Sequence, residues 1–532
     1  MQTMRYKTPH RLLHSLGRLV LNWRHLSLSL ALAAGCAAPA LAASAPTPSP
    51  SPSVIHLPNA PDAVTQHTIA LDGKSYAYTA RAGTITLRTQ DDQPTARVFY
   101  TAYTVNDGGA PGTRPITFLY NGGPGSSTMW LHMGSFAPVR VETANGTITG
   151  PAPYRIVPNS YSLLDKSDLI FIDMPDSGFG RIIGVGKPKD FFGVDQDVKA
   201  FGQFIQRYIT KFGRWNSPKF LYGESYGTTR SAALVDYLQN AGISMNGVVL
   251  QSTILNFGVD QSDIGGNDWQ YILDLPTETA TAWYHHALPS APASLQALLP
   301  TVQTFAMGEY ADALAKGSNL SRSEYDDVVA KLHQYSGVST QFIRNSNLRF
   351  PYSRFENQLF RNTGKMVGRL DGRFQTYTTD RLNDQPPWDP TDAAIDSPFT
   401  TTINQYLRED LKYTTSLPYR ANIYGIIYQN GSSWDFKHRG NPTTNVVPDL
   451  SEAMTYNPKL QIFAANGYYD FATPYFETVY TLDHLRIEPS LRKNITYGFY
   501  ESGHMIYLEP QALKQLHYDL ERWYAGALGS NP

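Results

Sequence analysis

Two kinds of hydrophobic pattern alternate along the first part of the chain. Residues 65–88 and 95–105 alternate apolar and polar side chains beside turn signals such as Asp72-Gly73, which is typical of antiparallel strands with one covered face. Residues 115–120 and 168–173 are instead mostly apolar runs, and each ends in a turn rich in Pro and Gly. Strands buried on both faces of a parallel sheet have this composition. The pattern therefore predicts antiparallel strands that lead into a parallel sheet.

Helical periodicity alternates with further strand patterns. Residues 194–209 carry apolar side chains at the spacing of one helix face, which predicts a crossover helix between two parallel strands. The other elements predicted in this way are strands at 219–222, 247–250, 460–465 and 494–500 and helices at 231–239 and 510–524. Strands that alternate with helices are typical of an α/β fold.

The strand rhythm is lost between residues 256 and 454. The predictable pieces there are helical, at 278–286, 295–307 and 323–333. We therefore predict an α/β core with a mostly parallel central sheet, formed by residues 61–255 and 455–532 and interrupted by a large, mainly helical cap insertion at 256–454.

The N-terminal segment has the composition of a targeting signal. Several arginines precede the apolar run 26–34, and Ala40-Leu-Ala42 offers a cleavage site, so we predict a signal peptide at 1–42 and a Pro/Ser-rich linker at 43–60. Export to the periplasm or the extracellular space is expected. Two processing routes stay open, simple cleavage or lipid attachment at Cys36, the only cysteine in the chain.

Charge and hydropathy exclude two classes of partner. The net charge of the 532 residues is -1 and no long basic block occurs, so no nucleic-acid partner is expected. No segment after the signal approaches the about 18 consecutive apolar residues of a transmembrane helix. The sequence leaves the oligomeric state open.

A catalytic serine is predicted at the turn that follows the strand 219–222. The sequence Gly223-Glu-Ser-Tyr-Gly227 has the form Gly-x-Ser-x-Gly between a strand and a helix, which is the context of a nucleophile elbow. Small flanking residues are needed because the backbone is strained at the nucleophile. The sequence therefore indicates Ser225 as the nucleophile of an α/β-hydrolase fold, with a structural glycine turn as the alternative.

Serine needs a base within hydrogen-bond reach, and the base needs an acid that fixes its tautomer. His504 follows the last predicted strand, and Asp470 follows the strand before it. The chain order Ser225, Asp470, His504 is the order expected of an α/β-hydrolase. Asp483 is the alternative acid. The other histidines fall in the predicted cap or in helical runs.

The oxyanion hole of such an enzyme needs two backbone N–H donors. The amide of Tyr226, directly after the nucleophile, meets the first requirement. The loop Asn121-Gly-Gly-Pro-Gly125 follows an earlier strand, and its glycines permit a close approach to the substrate. We predict the Gly123 amide as the second donor.

Taken together, these stretches resemble the serine carboxypeptidase family, peptidase family S10. The segments that carry the resemblance are Asn121-Gly-Gly-Pro-Gly-Ser-Ser127, Leu169-Ile-Phe-Ile-Asp173, Gly223-Glu-Ser-Tyr-Gly227, Gly467-Tyr-Tyr-Asp470 and Gly503-His-Met505. The resemblance implies release of single residues from peptides with a free C-terminus, without a metal or an organic cofactor. It also implies that Asn121 and Glu224 bind the terminal carboxylate. Because two carboxylates in contact repel unless they share a proton, we expect a raised pKa for Glu224.

The chain departs from the family pattern at several positions. Ser135 stands at or near the place of a second glutamate that family members use beside the substrate carboxylate, Ser126 replaces a usual cysteine, and the loop 173–180 has a different form. An esterase or acyltransferase on the same scaffold shares the triad and is the alternative function. A catalytically silent binding protein is a third hypothesis, which the intact Ser225 and His504 disfavour.

Overall fold

The computed structural model describes residues 60–109, 112–259, 266–429 and 433–529. The predicted signal peptide at 1–42, with Cys36, and the predicted linker up to residue 59 lie outside the described residues and stay predictions. In the part of the chain that is described, no helix is long and apolar enough to cross a membrane.

The strands are numbered in chain order. They are β1 (Ala63–Leu71), β2 (Lys74–Arg88), β3 (Pro94–Val105), β4 (Ile116–Tyr120), β5 (Val139–Val141), β6 (Ile156–Pro158), β7 (Asp168–Ile172), β8 (Arg181–Ile182), β9 (Lys219–Glu224), β10 (Gly247–Gln251), β11 (Lys365–Val367), β12 (Gln375–Tyr377), β13 (Gln461–Gly467) and β14 (Ile495–Tyr500).

Within the described ranges, ten strands form one sheet in the order β1-β2-β3-β7-β4-β9-β10-β13-β14, with β8 paired to β3. β1, β2 and β3 pair antiparallel, whereas β7, β4, β9, β10, β13 and β14 run parallel. The predicted antiparallel lead-in and the predicted parallel sheet are both confirmed. Parallel strands point the same way, so the loops after them meet along one edge, as in the α/β-hydrolase fold.

The helices are also numbered in chain order. They are α1 (Met129–Gly134), α2 (Val194–Lys211), α3 (Tyr226–Asn240), α4 (Trp269–Tyr284), α5 (Leu295–Phe305), α6 (Ala311–Lys316), α7 (Arg322–Ser336), α8 (Thr340–Asn345), α9 (Tyr352–Gln358), α10 (Pro390–Gln405), α11 (Tyr424–Gln429), α12 (Val447–Tyr456), α13 (Tyr475–Asp483) and α14 (Pro510–Ala527).

Different helices cover the two faces of the sheet. On β9, Phe220 packs against Trp523 and Tyr524 of α14, whereas Leu221 belongs to the apolar cluster that includes α2 and α3. Every residue of β9 is buried, as predicted for a strand covered on both faces. Complete burial of each large apolar side chain contributes about 1.5–3 kcal/mol, so this core holds the strand before the predicted nucleophile firmly.

Two predicted helices begin earlier than the sequence pattern indicates. The helix predicted at 231–239 starts at Tyr226, because the elbow geometry requires a helix directly after the nucleophile. The helix predicted at 278–286 spans Trp269–Tyr284 and contains Pro276, which usually ends a helix and therefore displaced the predicted start. The domain boundaries predicted near residues 255 and 455 stay predictions.

Candidate active site

Ser225 occupies a strained turn between β9 and α3. Its backbone has φ 62° and ψ -132°, a region that residues with a side chain rarely adopt. A Cβ at Gly223 would lie 2.1 Å from the Gly227 carbonyl oxygen, and one at Gly227 would lie 2.9 Å from that of Tyr120. The Ser225 amide donates to the Gln251 carbonyl at 3.0 Å. Both flanking glycines are thus required by close backbone contacts, as predicted for an elbow.

His504 and Asp470 form a buried pair. Nδ1 of His504 lies 2.9 Å from Oδ2 of Asp470. The Asp470 carboxylate also accepts hydrogen bonds from the amides of Ala472 and Thr473 and from the Thr473 hydroxyl, at 2.8, 3.0 and 2.6 Å. These donors fix the carboxylate, which in turn fixes the imidazole tautomer that leaves Nε2 free to take a proton.

Electrostatics favour the charged form of this imidazole. Burial lowers the pKa of His504, but the Asp470 and Glu224 carboxylates outweigh that effect and raise the pKa above its ordinary value of 6.5. The alternative acid, Asp483, lies at the end of α13, and His504 pairs with Asp470 instead.

The loops that carry Ser225 and His504 meet at the end of β10. The His504 carbonyl accepts hydrogen bonds from the Ser252 hydroxyl at 2.7 Å and from Nε2 of Gln251 at 3.3 Å, and Gln251 also binds the Ser225 amide. Among the described residues, neither the Ser225 hydroxyl nor Nε2 of His504 forms a hydrogen bond. Such bonds are commonly long before substrate binds and tighten in the complex.

The two predicted oxyanion donors lie on adjacent backbone segments. A Cβ at Gly122 would lie 2.4 Å from the Tyr226 nitrogen, so the loop after β4 packs directly on the start of α3. Gly123 has φ +108°, which favours glycine. Within the described part of the chain the amides of Gly123 and Tyr226 have no acceptor. Both donors are therefore available to an oxyanion.

Asn121 and Glu224 are in direct contact. Nδ2 of Asn121 donates to Oε1 of Glu224 at 2.6 Å, and Oδ1 of Asn121 accepts from the Leu131 amide at 3.0 Å. The Glu224 side chain is buried, and burial raises its pKa to about 7. The main cause is desolvation, whereas the sequence analysis expected a raised pKa from contact with a substrate carboxylate, and that expectation stays a prediction.

Three further residues of the site were missed in the sequence analysis. Gln251 donates to Oε2 of Glu224 at 2.8 Å, and the Tyr507 hydroxyl donates to Oε1 at 3.3 Å. Thr473 binds both Asp470 and Nδ1 of His504. A polar residue at the end of a buried parallel strand was a usable signal for Gln251, whereas Tyr507 and Thr473 lie in irregular segments without such a signal.

Ser135 provides no group equivalent to a glutamate. It is fully buried at the end of α1, where its hydroxyl donates to the Leu131 carbonyl at 2.5 Å. Its own carbonyl accepts from Nδ2 of Asn159 at 2.6 Å. The Ser135 side chain is thus engaged in its own helix.

Comparisons with known proteins identify the family of the chain. A family model described as "Serine carboxypeptidase", peptidase family S10, matches residues 77–497. "Serine carboxypeptidase-like 5" of Arabidopsis thaliana is 25% identical over 182 residues, 32% of this chain and 39% of the relative. "Pheromone-processing carboxypeptidase KEX1" of Saccharomyces cerevisiae is 30% identical over 177 residues, 31% of this chain and 22% of the relative.

The matches to curated relatives thus span less than half of those proteins. A crystal structure of KEX1, described as a prohormone-processing carboxypeptidase from Saccharomyces cerevisiae, superposes with a TM-score of 0.46 and 16% identity. That superposition covers 84% of this chain and 91% of the other.

Proposed function

Because the chain belongs to the serine carboxypeptidase family, whose model matches residues 77–497, we propose that it releases C-terminal amino acids from peptides through a serine acyl-enzyme. The observation that carries the proposal is the contact of the Asn121–Glu224 pair, with Glu224 directly preceding Ser225 at the elbow. A group that recognises a carboxylate beside a nucleophile selects the last peptide bond of a substrate.

In the proposed acylation step, the Ser225 oxygen attacks the carbonyl carbon of that bond while Nε2 of His504 takes the hydroxyl proton. The negative oxygen of the tetrahedral intermediate accepts hydrogen bonds from the amides of Gly123 and Tyr226. His504 then gives its proton to the departing nitrogen, and the C–N bond breaks. The Asp470 carboxylate stabilises the imidazolium in between.

In the proposed deacylation step, water takes the place of the departed amino acid. His504 removes a proton from the water, and the resulting hydroxide attacks the ester carbon. The oxyanion again accepts hydrogen bonds from the amides of Gly123 and Tyr226. Collapse of this intermediate returns the proton to Ser225 and frees the shortened peptide. The cycle consumes one water and needs no other reactant.

Glu224 is proposed to recognise the terminal carboxylate in its protonated form. A neutral carboxyl group shares its proton with the substrate carboxylate, whereas an ionised one repels it. The raised pKa of Glu224, about 7, keeps a large fraction protonated at mildly acidic pH. Peptide binding should therefore weaken as pH rises through that value.

The test is release of free amino acid from an N-blocked dipeptide by the mature protein and by Ser225→Ala, at about pH 4.5 and about pH 7.5. Release that requires Ser225 supports the proposal. If simple esters are cleaved through Ser225 while no peptide yields an amino acid, the enzyme is an esterase or acyltransferase and the carboxylate assignment is wrong.

Export is a further proposal, supported by the basic and apolar pattern of residues 1–42. Fractionation of cells that express the full chain should place the protein outside the cytoplasm. Incorporation of labelled palmitate that is lost in Cys36→Ala would select the lipid-attached route, and its absence would select simple cleavage.

A further inference from the structure

A short segment, residues 368–373 between β11 and β12, contacts both of the loops that carry the proposed acid and base. We call it the bridging segment. The Gly372 amide donates to the Tyr469 carbonyl at 2.8 Å, and the Phe471 amide donates to the Arg369 carbonyl at 3.0 Å. The bridging segment therefore binds the backbone on both sides of Asp470.

The same segment also binds the loop of the proposed base. The His504 amide donates to the Leu370 carbonyl at 2.7 Å, and the Gly503 amide donates to Oδ2 of Asp371 at 3.2 Å. A Cβ at Gly503 would lie 2.4 Å from Cβ of Asp371 and 2.5 Å from the Leu370 oxygen. The approach is so close that only glycine fits at position 503.

His504 is consequently held from two directions. Leu370 binds its amide on one side, and the Ser252 hydroxyl binds its carbonyl on the other. The bridging segment joins the loop of Asp470 to the loop of His504. The position of the His504 ring relative to Asp470 therefore depends on where this segment lies.

A buried ion pair fixes the bridging segment. Nη2 of Arg373 lies 2.6 Å from Oδ2 of Asp371, and Nε lies 3.0 Å from Oδ1. The Asp371 side chain is fully buried and Arg373 is 4% exposed. Arg373 also donates to Oδ1 of Asn145 at 2.8 Å, and the Asp371 amide donates to the Thr391 hydroxyl at 3.1 Å. Such a pair is held by its geometry, and loss of one partner leaves the other charge buried and uncompensated.

We propose that Asp371 is a positioning residue, which sets the place of His504 relative to Asp470 and Ser225 through the Gly503 amide and the Leu370 carbonyl. The inference rests on the proposed function, since it requires His504 to activate Ser225. Misplacement of a catalytic group by about 1 Å costs about 10²-fold in rate, and outer hydrogen-bond partners of active groups are commonly worth about 10- to 100-fold.

The test measures how fast Ser225 reacts with a fluorophosphonate probe, which needs the serine and its base but no peptide. In Asp371→Asn the side chain keeps its size and an acceptor oxygen, but Arg373 loses its counter-charge. We expect the phosphonylation rate and kcat to fall about 10- to 100-fold while KM changes less than about twofold. The acid limb of the rate should shift to lower pH, because a displaced His504 loses support from Asp470.

Asp168→Asn is the matched control. Asp168 is a buried aspartate paired with arginines at the opposite edge of the sheet, so this variant should lose stability but label at the wild-type rate. If Asp371→Asn does not fold, Arg373→Lys, which keeps the charge but not the forked geometry, gives the same comparison.

Four outcomes decide the inference. Slower labelling with a shifted acid limb in Asp371→Asn, at a temperature where it is folded, supports it. Labelling at the wild-type rate with only a lower melting temperature overturns it and leaves the proposed function intact. If the wild-type protein is labelled but releases no amino acid from peptides, the proposed carboxypeptidase activity alone is refuted. The labelling rates of Asp371→Asn and the wild type then still test the role of Asp371. Unlabelled wild-type protein overturns both.

Discussion

Buried aspartates paired with arginine lie at both edges of the central sheet, where its parallel strands begin and where they end. The two pairs have different roles. At the amino ends of the parallel strands, Asp168 accepts from Nε of Arg114 at 2.7 Å and from Nη1 of Arg214 at 2.6 Å. At the carboxyl ends, Asp371 accepts from Arg373. The first pair joins a strand to its neighbours in the core, whereas the second holds a loop that carries the proposed base.

The two carboxylates differ in the further hydrogen-bond donor that each one contacts. Asp168 also accepts from the Val105 amide of β3, at 3.2 Å, so the cluster joins the start of β7 to β3. Asp371 also accepts from the Gly503 amide, next to His504. A buried aspartate–arginine pair therefore stabilises the fold at the amino edge, and a similar pair aligns the proposed active site at the carboxyl edge. Changes at the carboxyl edge should alter rates, and changes at the amino edge should alter stability.

Substitution of the acid that binds His504 should reduce the rate most. In Asp470→Asn the amide no longer holds His504 in the required tautomer, so kcat should fall about 10⁴-fold. Circular dichroism and a melting curve should stay close to those of the wild type. A variant with kcat within tenfold of the wild type would remove Asp470 from the proposed triad.

The amino edge should respond in the opposite way. Asp168→Asn leaves Arg114 and Arg214 buried without a full counter-charge, so we expect the free energy of unfolding to fall by about 3–5 kcal/mol. Below the melting temperature kcat and KM should match the wild type. Denaturant titration measures the first quantity and steady-state kinetics the second. A tenfold loss of kcat in folded Asp168→Asn would contradict a purely structural role for the amino edge.

Sequence reasoning identified the carboxyl edge far better than the contacts that support it. Ser225, Asp470 and His504 each follow a strand with a clear hydrophobic pattern, and the chemistry of a strand end is local in sequence. The bridging segment lies in a region without periodicity and reaches the active site only through tertiary contacts. Tyr507 was missed for the same reason. The start of α4 was missed for a different reason, because Pro276 usually ends a helix.

Glu224 should determine how binding at the carboxyl edge depends on pH. Because the pKa of Glu224 is about 7, KM for a peptide should be flat at lower pH and rise about tenfold per pH unit above that value. In Glu224→Gln the amide donates a hydrogen bond at every pH, so KM should lose this rise. A wild-type KM that stays constant from about pH 4 to about pH 8 would falsify the role of Glu224.

A buried acid that lies at neither edge should affect stability alone, and only modestly. Glu278 in α4 is buried, and burial raises its pKa well above the ordinary value of 4.5. The unfolded chain ionises first as pH rises, so the native state loses about 1.4 kcal/mol of stability per pH unit between the unfolded and the folded pKa. Glu278→Gln should remove this slope. Free energies of unfolding at about pH 5 and about pH 7 test it, and an unchanged slope would show that Glu278 is ionised in the native state.

We propose that the carboxyl edge recognises a free terminal carboxylate beside Ser225. The most direct measurement compares kcat/KM for an N-blocked dipeptide and for its C-terminal amide at about pH 5.5, where Glu224 is protonated. We expect at least a tenfold preference for the free acid, about the worth of one hydrogen bond to a charged group. Equal values for the two substrates would contradict it.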